Sequence, residues 1–169
     1  MRKVFLGSNV EKNLANVLCS YGIKLVIKEK PDHAPIDGAA LWSKDMHPVI
    51  GLTLRHKRID NLAFTVYHEL GHIFLHLKNN HDISYVDNTV EDAQALNIDA
   101  EKEANDFAGN ILIPEDKWQE FVSHGFFGDD SIKRFASTID TPAASVRGKL
   151  CHEKRIAFGR PTKIDSHIL

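Results

Sequence analysis

Cysteine is scarce: the 169 residues hold two, Cys19 and Cys151, far apart and outside any C-x-x-C pairing. That argues against a disulfide framework and fits a reduced, cytoplasmic setting. No apolar run approaches the ~18 residues needed to span a bilayer. The longest stretch, Leu62 to Leu77, is interrupted by three His and a Glu. The basic start Arg2-Lys3 is followed by too few apolar residues for a secretory signal. A strong net charge is also missing, at −2, yet the charge is unevenly placed. Residues 82–116 carry ten acids against one base, Lys102, and residues 131–169 carry eight Lys or Arg against three acids. With 43% hydrophobic residues over this length, the chain suits one globular domain with a real core and a small appendage.

The stretch from Thr65 to His76 contains His68-Glu69-Leu70-Gly71-His72, a match to H-E-x-x-H. On a helix, residues four apart lie about 6 Å apart along the axis and on one face. His68 and His72 can therefore aim two imidazoles at one metal ion, and Glu69 beside them is placed to take a proton from a water. Thr65, His68, Glu69, His72 and His76 fall in one stripe, while apolar residues cover nearly all the rest. A helix apolar almost all round is expected to be buried, with its polar stripe facing a cleft. His76 lies about 12 Å along the axis from His68, too far to share its ion by spacing, and is expected to support a ligand rather than be one.

The elements around this helix suggest an α+β layout. Ser8 or Asn9 can cap a first helix carrying Val10, Leu14, Val17 and Leu18. Three short strands follow, over 23–27, 38–42 and 49–54, and Asp60 or Asn61 can cap the histidine helix. Val49–Leu54 is either an internal strand or an edge that an extended peptide could join. Residues 78–96 read as a loop, whereas Ala100, Ala104, Phe107, Ala108 and Ile111 mark a second helix that Pro114 stops.

Two histidines do not complete a catalytic zinc site, and a carboxylate is one accepted third ligand. Glu101 and Glu103 flank the apolar stripe of the second helix on opposite sides, and periodicity does not choose between them.

Three blocks carry a resemblance: Arg55 with Asp60-Asn61-Leu62-Ala63-Phe64; His68-Glu69-Leu70-Gly71-His72; and Glu101-Lys102-Glu103-Ala104-Asn105-Asp106-Phe107-Ala108 closed by Ile113-Pro114. Across about residues 20–150 the chain resembles the ImmA/IrrE metallopeptidase-like family. The resemblance implies a minimal thermolysin-like zincin, with a small three-stranded sheet packed on helices. It implies one Zn2+ held by His68, His72 and Glu103, the Glu directly before Ala-Asn, with Glu69 as the catalytic base. It further implies an endopeptidase that cleaves or inactivates a regulatory protein, such as a helix-turn-helix repressor of phage, mobile-element or stress-response circuits. No N-terminal helix-turn-helix domain is legible here, so such a repressor is expected on a separate chain. A developing oxyanion needs a donor, for which Tyr85, His81 and His124 are open choices.

Residues 132–150 read as two short helices about a turn, with Phe135, Ala136, Ile139, Val146 and Leu150 as packed positions. The expected organisation is a zincin-like domain over 1–125 and a helix-turn-helix-like extension over 126–169 packed on it. Direct nucleic-acid binding is not expected, because the segment lacks aromatic interleaving or a strong basic run. The tail after Arg160-Pro161 is expected to be loosely ordered. A metal site does not prove turnover, so a non-catalytic metal-binding regulator or toxin–antitoxin partner, acting by docking, is the alternative.

Overall fold

The computed structural model describes residues 1–28, 36–54, 56–79, 84–88 and 96–168. After a 3-10 turn at Arg2–Leu6, helix α1 (Val10–Ser20) buries Val10, Leu14 and Leu18, the i, i+4, i+8 face that its apolar spacing predicts. Asn9 occupies the cap position with φ 56, but its side chain caps nothing; instead Asn13 Nδ2 donates to Ser8 O at 3.0 Å.

Strands β1 (Lys24–Ile27), β2 (Ile36–Trp42) and β3 (Pro48–Leu52) are those expected. A fourth, β4 (Tyr85–Asn88), comes from the stretch read as a loop. The sheet order is β1-β3-β2-β4. β3 runs parallel to β1 and antiparallel to β2, and β4 runs antiparallel to β2. β3 is therefore an internal strand with both edges taken, and offers no edge to a peptide. Residues four to eight long with little alternation, such as β4, are recognised as strands only once a neighbour pairs with them.

Helix α2 (Ile59–Gly71) carries the H-E-x-x-H sequence and starts one to two residues before the expected caps. Asp60 sits in its first turn, where the helix dipole favours an acid, and is ion-paired with Arg58 at 2.8 Å. At His72 the coil widens into a π-helical turn, His72–His76, and then tightens into a 3-10 turn, Leu77–Asn79. The end of this segment is tied to the sheet by Trp42 Nε1, which donates to Leu77 O at 3.0 Å.

Helix α3 (Leu96–Leu112) crosses α2 closely. The crossing is set by small residues: a Cβ added to Gly71 would lie 3.0 Å from Ala104 Cα and 3.3 Å from Ala104 Cβ. Helices α4 (Glu115–Ser123), α5 (Asp129–Thr138) and α6 (Ala143–His152) complete the chain. Trp118, Phe121 and Phe135 join α4 to α5, with the two Phe rings stacked 4.2 Å apart. Thr141 Oγ1 donates to Leu112 O at 2.6 Å, and α6 lies against α2. The basic residues of α6 are largely spent within the protein. Arg147 donates to the carbonyls of Phe158 and Arg160, and Lys149 pairs with Glu115 while standing over the Trp118 ring.

The segment beyond Pro161 is not loose. Asp129 accepts from Lys163 N and Thr162 Oγ1, Ile164 is buried, and Ile59 N donates to Ser166 O at 2.7 Å. These bonds, two to the Asp129 side chain and one between backbones, are made at a distance in sequence, which no local pattern announces. Among the described residues no helix is long and apolar enough to cross a membrane.

Candidate metal centre

The polar stripe of α2 points inward: Thr65, His68, Glu69 and His72 are all buried, and Glu69 is fully so at 0% exposure. Phe64, Phe74 and Leu75 are left partly exposed. The helix is thus buried as expected, but along its polar side as well, because α3 and β2 close over the histidines.

Three side chains converge there. His68 Nε2 and His72 Nε2 lie 3.0 Å apart. Glu101 of α3 places Oε2 at 3.2 Å from His68 Nε2 and Oε1 at 3.4 Å from His72 Nε2. His68, His72 and Glu101 are a group able to hold a metal ion. Three ligands on a tetrahedral zinc, each at about 2.0–2.1 Å, stand roughly 3.3–3.4 Å apart, and the three observed separations, the two to Glu101 made by different carboxylate oxygens, are near that size. Two imidazoles and one carboxylate are also the donor set that zinc accepts at catalytic sites. The residues present therefore fit a zinc ion.

Glu103, expected as the third ligand, is not in this cluster: its Oε2 lies 2.9 Å from His76 Nε2 instead. The physical reason is helical phase. Ala104 faces α2 at the Gly71 contact, and the side of α3 carrying Glu101, Ala104, Asn105 and Ala108 turns toward the histidines. Glu103 falls on the other flank and stays 64% exposed.

The neighbours hold each ring in place. Asn105 Oδ1 lies 3.0 Å from His68 Nδ1, one turn beyond Glu101 on the same face. An Nδ1–H donated to that oxygen leaves the Nε2 lone pair of His68 facing the cluster. Tyr85 stacks on His72, with centroids 4.4 Å apart and planes within 13°. Asn105 was missed by sequence reasoning, although its i, i+4 relation to Glu101 was a usable signal. Of the oxyanion donors considered, Tyr85 is at the site, His124 is exposed at the end of α4, and His81 lies outside the described residues.

Electrostatics follow from the packing. Burial lowers the pKa of His72 below its ordinary value, with Glu101 opposing the shift. Burial pushes the carboxyl of Glu101 up, but hydrogen bonds with His68 and His72 and their charge outweigh this and bring it down to about 2. That charge belongs to protonated imidazoles; a cation bound at Nε2 would take the place of those protons while the carboxylate stays ionised.

Glu69 owes its place to Gly38 of β2. A Cβ at 38 would collide with Glu69 Oε1, and would lie 2.7 Å from Thr65 Cγ2 and 2.9 Å from Glu69 Cδ. The register between β2 and β4 shifts between Ile36 and Ala39, directly over this carboxylate. No other residue type leaves that space.

A core helix bearing H-E-x-x-H, a carboxylate from the helix crossing it and a small mixed sheet together define a zincin-like α+β fold. Such a fold fixes the geometry of a site without fixing its substrate. Residues 20–136 match the peptidase family described as the IrrE N-terminal-like domain, and the chain belongs to that family. Among curated proteins none matches the chain significantly.

Proposed function

We propose that this chain is a zinc-dependent endopeptidase whose ion is held by His68, His72 and Glu101. The observation that carries the reading is the convergence of these three donors beside a buried Glu69, supported by membership in a peptidase family. Zinc bound there supplies a Lewis acid for the scissile carbonyl and lowers the pKa of water to about 7. Glu69 is the general base: it takes the proton of the attacking water and returns it to the leaving amine. The closely packed β2 above Glu69 keeps that carboxylate in one place and keeps bulk water from it. Asn105 and Tyr85 fix the planes of the two imidazoles, so that little reorganisation is needed when peptide binds.

The substrate proposed is a regulatory protein, with a helix-turn-helix repressor on a separate chain as the natural target. This rests on the family resemblance of the three sequence blocks. Replacing Glu69 by Gln separates turnover from docking. Cleavage should fall by about 10²–10⁴-fold while one metal ion per chain stays bound, read by metal analysis and by gel assay with helix-turn-helix repressor proteins as trial substrates. A cellular effect that survives Glu69→Gln would instead assign the protein to docking without catalysis.

A further inference from the structure

Glu103 and His76 lie outside the three-donor cluster, yet they form an unbroken line of hydrogen bonds into it. Glu103 Oε2 is 2.9 Å from His76 Nε2, and His76 Nδ1 is 3.1 Å from His72 Nδ1. The two histidines of this line are the first and last residues of the π-helical turn His72–His76. In it the two rings stand with centroids 5.2 Å apart and with their Nδ1 atoms facing each other. Widened turns of this kind recur at functional sites.

The direction of each bond in the line follows from elementary valence. An ionised carboxylate only accepts, so His76 must present Nε2–H to Glu103. A neutral imidazole carries one N–H, so Nδ1 of His76 is then a bare acceptor. With His76 in its neutral form, the hydrogen between the two Nδ1 atoms belongs to His72. That leaves His72 Nε2 without a hydrogen, its lone pair directed at His68 Nε2 and Glu101.

We infer that Glu103 is a positioning residue that, through His76, fixes His72 in the tautomer able to bind a metal ion at Nε2. The inference rests on the reading of His68, His72 and Glu101 as the metal cluster, but it concerns a different observable. Glu103 is 64% exposed, so its charge is screened and its influence runs along the hydrogen bonds rather than through space. The opposite ligand is treated in parallel, His68 being held at Nδ1 by Asn105. The two histidines thus receive their tautomers from opposite flanks of α3: Asn105 serves one and Glu103 the other.

The test has two readouts on the full-length protein. The first is the tautomer of His72 in metal-free protein at mildly alkaline pH, read from long-range proton–nitrogen NMR correlations of the ring. Wild type should show His72 protonated at Nδ1, and Glu103→Ala should shift it toward the Nε2–H form. The second is zinc affinity by competition with a chromogenic chelator, with circular dichroism to confirm folding. Glu103→Ala should weaken zinc binding about 10–100-fold, and Glu103→Gln, whose amide oxygen still accepts from His76, should recover most of the loss. In a His76→Phe background, Glu103→Ala should add nothing, because its only route is gone. His72 found as Nε2–H in wild type, or additive effects of Glu103→Ala and His76→Phe, overturns the inference. Loss of zinc on Glu103→Ala as complete as on His72→Ala also overturns it, making Glu103 a ligand. Zinc binding unaffected by His72→Ala and Glu101→Ala would instead refute the cluster itself, while the tautomer readout, made without metal, would still stand.

Discussion

Helix α2 and the α4–α5 contact are buried to similar depth with opposite contents. α2 encloses Thr65, His68, Glu69 and His72 and leaves Phe64 and Phe74 partly in solvent. The α4–α5 contact encloses Trp118, Phe121 and Ile132, with Phe135 stacked on Phe121. Buried polar groups cost about 1–3 kcal/mol each when their partners are imperfect, whereas a large apolar side chain contributes about 1.5–3 kcal/mol by leaving water. The comparison teaches that the site sits on stability supplied elsewhere. The cluster is built by the crossing of α2 and α3, and the aromatic contact adds apolar burial between α4 and α5, outside that crossing.

The largest effect should come from removing the aromatic support. Trp118→Ala should lower unfolding stability by about 3–5 kcal/mol in denaturant titration, with zinc affinity of the still-folded protein unchanged. A parallel loss of zinc affinity would show the two regions are not separable. A smaller effect is expected where the regions meet. Gly71→Ala must push Ala104 away, costing about 1–3 kcal/mol, and it should weaken zinc binding as well, because Glu101 and Asn105 flank Ala104. Stability loss without a change in affinity would place the crossing outside the site's control.

The smallest effect is a difference in acid response of the metal-free protein. The folded pKa of His72 lies below its ordinary 6.5 through burial, and that of Glu101 lies at about 2 against 4.5. Both folded values are below the unfolded ones, so each contributes stability above the unfolded pKa and loses it as pH falls. Stability should therefore begin to fall as pH drops through 6.5, with a second loss between 4.5 and about 2. His72→Phe should remove the first step in urea titrations run across that range, and a wild-type midpoint that stays flat below 6.5 would contradict the assignment.

The histidine pair and its helix were legible because both ligands belong to one coil and share its period. The second helix was legible from Ala100, Ala104 and Ala108. Which of its acids meets the histidines was not, because Glu101 and Glu103 differ only in the side of Ala104 they occupy. That side is chosen by the rotation of one helix on another. β4 and the docked tail escaped for a related reason: each is held by backbone bonds to a partner remote in sequence, so their own residues carry little pattern.

Gly38 gives this arrangement a particular vulnerability. The space beside its α-carbon is filled by the Glu69 carboxylate, and it belongs to a strand that supplies none of the three cation donors. On the proposed reading of the site, one added methyl there would yield a protein that grips its ion and leaves the peptide uncut. Grip and cut would then be separable by a single codon, in a place no survey of ligands would inspect.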